Sequence, residues 1–68
     1  MKLPHNVQHA MRLCRKNQEL DGWCKASKVV LENIIPEVPE DLMEREVFES
    51  GAGRVRLTER GNVVADYL

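Results

Sequence analysis

The chain has little of what small domains use for reinforcement. Its two cysteines, Cys14 and Cys24, are too few for a disulfide framework. No apolar leader of the secretory kind opens the sequence, so both are expected to be reduced: Cys14 as a small apolar residue on a helix, Cys24 beside Trp23 in a short strand. One Trp, one Tyr and one Phe mean that any core must be mostly aliphatic. No apolar run approaches the ~20 residues that span a bilayer, so no membrane role is expected. Ten basic and eleven acidic residues leave a formal net charge of −1, which argues against a general nucleic-acid binder. These limits point to one small cytoplasmic domain over residues 1–68, near the lower size for a self-supporting core. A homodimer would add the burial that such a chain lacks.

Catalytic and metal signatures are also missing. Gly51-Ala52-Gly53 runs into a strand, whereas a phosphate-binding loop opens a helix. There is no Ser-centred elbow and no pair of carboxylates in an apolar setting. His5 and His9 are four apart and would share a helix face, but no further ligand is spaced to complete a zinc set. No enzyme activity, metal or cofactor is expected.

What is present is clear periodicity. Pro4 suits a helix start, and Val7, Ala10, Met11 and Cys14 recur at helical spacing until Asp21-Gly22 stops the run near Leu20. Residues 22–26 read as a short strand. Ser27 is a good cap for a second helix, Lys28 to about Ile34, whose apolar side is Val30, Leu31, Ile34 and Ile35 before Pro36 ends it. Pro39 followed by Glu40 and Asp41 reads as the start of a third helix, with Leu42 and Met43 as its apolar contacts. Val47 and Phe48 look like strand, with Phe48 facing Val55 or Leu57 across a turn at Ser50-Gly51-Ala52-Gly53. Arg54-Val55-Arg56-Leu57 alternates as a half-buried strand, and Thr58 and Glu59 start a last helix carrying Val63, Val64, Tyr67 and Leu68. The expected core is Val7, Ala10, Met11, Cys14, Val30, Ile34, Leu42, Val55, Leu57 and Val64.

The strand-to-helix junction Leu57-Thr58-Glu59-Arg60-Gly61, after a glycine turn, resembles the wing and following helix of winged helix-turn-helix proteins, in particular MarR- and PadR-like regulators. The resemblance implies an α+β fold ordered helix, strand, helix, helix, strand, strand, helix. It also implies double-stranded DNA as partner and a transcription-regulating role. Its phosphate contacts would be Arg54, Arg56 and Arg60 on the wing and Lys25, Ser27 and Lys28 at the second helix, with Arg45 the only basic residue on the recognition helix.

Charge distribution suggests an alternative. Residues 1–31 hold six basic and two acidic side chains, whereas residues 37–49 hold six acidic side chains and Arg45 alone. An acidic third helix would be repelled by the phosphate backbone. The second expectation is therefore a protein-interaction module whose contact face is Glu37, Glu40, Asp41 and Glu44.

Overall fold

Three stripes on the first helix organise the domain. In the computed structural model, which describes residues 3–68, α1 spans His5–Asn17 and turns Val7, Met11 and Cys14 inward, with Val7 and Met11 at 0% exposure. The helix stops at Asn17, short of Leu20, which is fully exposed. A tight turn with Gly22 at φ 85° then leads into β1, Cys24–Ala26. In α2, Lys28–Asn33, the Ser27 side chain accepts from the Val30 N–H. A 3₁₀ turn, Ile35–Glu37, follows directly, because Pro36 has no N–H to continue the helix.

Next come β2, Met43–Val47, and β3, Gly53–Leu57, joined by a loop in which Gly51 takes φ 92°. The last element is α3, Glu59–Ala65. The three strands form one antiparallel sheet in the order β1-β3-β2. Helix α1 packs on α3 and β3, and α2 on the 3₁₀ turn.

The domain is α+β, with the hairpin and a final helix starting at Glu59 as the sequence suggests. The four-helix winged arrangement is not what forms. Where the third helix was expected, from Pro39, the chain makes only one turn, closed by Leu42 N–H to Pro39 O (3.0 Å). It is already strand at Met43. The reason lies in Met43-Glu44-Arg45-Glu46-Val47, which alternates with period two. Met43 pairs with Leu57, Glu44 with Arg56 and Glu46 with Arg54. Opposite charges directly across an antiparallel pair favour strand over helix for the same residues. Phe48 consequently falls outside the strand and is exposed; Met43 and Arg45 are the residues that face Leu57 and Val55.

Helix α3 is anchored to the segment before β2. The Thr58 side chain accepts from Gly61 N–H (3.0 Å), and its hydroxyl donates to Asp41 O (2.6 Å). Thr58 N–H donates to Leu42 O (3.1 Å). Gly61 lies so close to Leu42 O that an added Cβ would collide with it. The junction string Leu57-Thr58-Glu59-Arg60-Gly61 thus has a local cause: a core leucine, a cap and a close approach.

Cys14 and Cys24 are joined as a disulfide with Cα atoms 5.6 Å apart, contrary to the expectation of free thiols. They lie ten residues apart in sequence, but the turn after α1 folds β1 back beneath the helix and brings both into the core.

Two expectations follow. Gly→Ala inside a helix ordinarily stabilises by about 0.5–1 kcal/mol. Gly61→Ala should instead destabilise by about 1–3 kcal/mol in urea unfolding, the usual cost of overpacking. Reducing the Cys14–Cys24 bond should lower stability by about 2–4 kcal/mol, seen as a lower urea midpoint with a phosphine reductant than without.

Candidate functional site

Of the basic residues singled out in the sequence, Lys25, Arg54 and Arg56 share the outer face of the sheet, while Arg45 and Arg60 lie elsewhere. Arg45 lies on β2, and it is part of the scaffold. Its guanidinium donates to Ile35 O (2.9 Å), Val38 O (3.1 Å) and Met43 O (3.3 Å), tying the 3₁₀ turn to the sheet edge. Arg54 pairs with Glu46 (3.3 Å), and Arg56 donates through Nε to Glu44 (2.8 Å). Both guanidiniums also stack on Trp23, at 4.1 and 4.5 Å from the ring centroid. This places Trp23, Arg54, Arg56, Glu44 and Glu46 in one interlocked layer on the sheet face away from the helices. Arg60 stands 3.5 Å from Asp41. Ser27 is occupied as the cap of α2. Lys25 is exposed on β1 opposite Arg54, and the Lys28 stem lies against Gly51.

The acidic residues form no helix face. Glu37, in the 3₁₀ turn, accepts from Asn6 Nδ2 (2.6 Å). Glu40 and Asp41 belong to the turn before β2, and Glu44 is a strand residue neutralised by Arg56. The contact face expected for the alternative reading therefore does not exist as a helical surface.

A different feature is a concavity with a largely apolar lining. A cleft of about 560 Å³ runs between α1 and α2. One wall is Asn6, Ala10, Leu13 and Asn17 of α1; the other is Val30 of α2 and Ile34 just after it. The Cys14–Cys24 bridge, Ala26, Ile35, Met43 and Val55 lie beneath. Three residues that helical periodicity assigned to the core, Ala10, Val30 and Ile34, are only partly buried, and all three line this cleft. Leu13 on its edge is 44% exposed, and Val29, beside Val30 on α2, is 64% exposed. The sequence pattern shows the apolar faces of α1 and α2 but not that they would be left apart. Residues 38–42 run on to β2 instead of forming a helix, and Met43 at the start of that strand lies in the cleft floor.

No protein-family model matches the chain, and none of the curated proteins or solved structures matches it either. Among the described residues no helix is long and apolar enough to cross a membrane, and no cluster of His, Cys, Asp or Glu could hold a metal ion.

Arg45→Met should keep the stem packing but leave three carbonyls without their charged donor. A loss of about 1.5–3 kcal/mol is expected from hydrogen bonds to a charged group. Faster amide exchange over residues 35–43 than in the wild type would localise the effect. Unchanged stability would mean that the guanidinium is free for another role.

Proposed function

We propose that the domain is a non-catalytic protein-docking module that receives an amphipathic helix of a partner in the cleft between α1 and α2. The observation that carries this reading is the cleft's lining: core-pattern side chains from two helices, left partly open over an apolar floor. Apolar grooves between helices are a recurrent way of holding a helix through anchors at i, i+3, i+4 and i+7. The apolar lining suits side-chain burial, and Asn6, His9, Asn17, Glu19, Lys25 and Ser27 place polar groups around it.

The charge arrangement favours a protein over duplex DNA. Arg54 and Arg56 each have a carboxylate partner and a shared aromatic ring, so using them on phosphates would break existing contacts. Arg45 is committed to backbone carbonyls.

Selection from a displayed library of helical peptides, followed by amide chemical-shift mapping on the labelled domain, tests the proposal. Selected peptides are expected to perturb Ala10, Leu13, Val30 and Ile34. Failure to enrich any peptide, or binders that map to the Trp23 face of the sheet, would overturn it. So would low-salt binding of mixed duplex DNA centred on Lys25, Lys28 and Arg54.

A further inference from the structure

The docking reading leaves open what kind of helix the cleft takes, and α1 carries an answer on its surface. Three stripes lie side by side on this helix. Val7, Met11 and Cys14 face the core. Asn6, Ala10, Leu13 and Asn17, each one position earlier in the repeat, line the cleft. One position earlier again come His5, His9, Arg12 and Lys16, all exposed. A step of one residue rotates a helix by roughly 100°, so the order around α1 is core, cleft, basic ridge. The basic ridge therefore borders the cleft wall on its outer side and reaches the cleft itself at His9.

That ridge is electrostatically unspent. Helix α1 contains no carboxylate. Its Arg15, on the side away from the cleft, is paired with Asp66 of α3. Among the described residues, neither Arg12 nor Lys16 has a carboxylate within salt-bridge distance. On the opposite side α2 offers Val29 and Asn33 beside the cleft, and Lys25 and Ser27, just before that helix, line it. Acids occur only toward the ends: Glu19 lines one end, and Glu37, held by Asn6, marks the other. The cleft is thus apolar at the bottom and bordered by the basic ridge along α1, with Lys25 the one basic lining residue outside that helix among the described residues.

We infer that the occupant is a partner's amphipathic helix with acidic residues along one flank, lying beside α1 with that flank against Arg12 and Lys16. This rests on the docking reading above and adds the partner's chemistry and side. The wall from Asn6 to Asn17 runs about 16 Å at 1.5 Å per residue, which matches three helical turns. The partner segment should then carry apolar anchors at i, i+3 or i+4 and i+7, with Asp or Glu following on the neighbouring stripe. Charge on the ridge sets orientation and selects against basic helices, while the apolar anchors supply most of the affinity.

Two synthetic helices with the same apolar face, one with a Glu flank and one with a Lys flank, test this on the oxidised domain. Binding is read by fluorescence anisotropy and located by amide shifts. The Glu-flanked peptide is expected to bind about tenfold tighter at low salt, the sum of two exposed ion pairs gained in one complex and like-charge contacts in the other. The gap should shrink as salt shortens the screening length. The double variant Arg12→Glu, Lys16→Glu alters exposed side chains with no salt-bridge partner, so its circular dichroism should match the wild type while the peptide preference reverses. If both peptides bind the cleft equally, or the variant keeps the wild-type preference, the acidic-flank inference fails and the docking reading stands. If neither peptide perturbs the cleft amides, the docking reading fails and takes this inference with it.

Discussion

The architecture depends on the carbonyl of Leu42. It accepts the Thr58 N–H, and Gly61 packs against it with no space for a side chain. One residue earlier, Asp41 O accepts the Thr58 hydroxyl. These contacts hold the start of α3 to the residue just before β2. Leu42 and Met43 are both almost fully buried at this junction, so the two ends of the hairpin are locked at one point of the core. With α3 fixed, α1 packs against it and against β3. The segment from Val38 to Leu42 becomes a strap between the 3₁₀ turn and the sheet, and Arg45 fastens it from the other side through Ile35, Val38 and Met43 carbonyls.

Using that segment as a strap has a structural consequence. No element is left to fill the angle between α1 and α2, and the apolar residues that both helices present there are only partly covered. Buried apolar contacts stabilise a domain of this size weakly to begin with. The Cys14–Cys24 bond compensates where the helix packing is thinnest, since it ties α1 to β1 directly beneath the open cleft.

Much of this was legible in the residues. Ser27 and Thr58 as caps, Pro36 as a stop, and the Gly51 turn between strands each act locally, and each is found in place. The start of β2 was less legible, because Pro39 followed by Glu40 and Asp41 looks like the first turn of a helix. The alternation of Met43, Arg45 and Val47 with Glu44 and Glu46 was the available signal, and it matched the alternation of Arg54 and Arg56 across the turn. Trp23 stacking under two arginines could not be read, because it depends on β1 lying next to β3. The same holds for the cysteines, whose pairing depends on where the chain turns after Asn17. Helical periodicity assigned Ala10, Val30 and Ile34 to a buried face, but periodicity cannot say whether another element will cover that face.

The conformation of residues 38–47 decides between a filled and an open cleft, so backbone chemical shifts over that stretch are the most direct measurement. Extended values from Met43 to Val47 are expected, with a close-range Leu42 to Gly61 nuclear Overhauser contact and only a single turn between Pro39 and Leu42. Continuous helical shifts from Pro39 through Arg45 would contradict the strap, close the cleft with a third helix and remove the basis for docking.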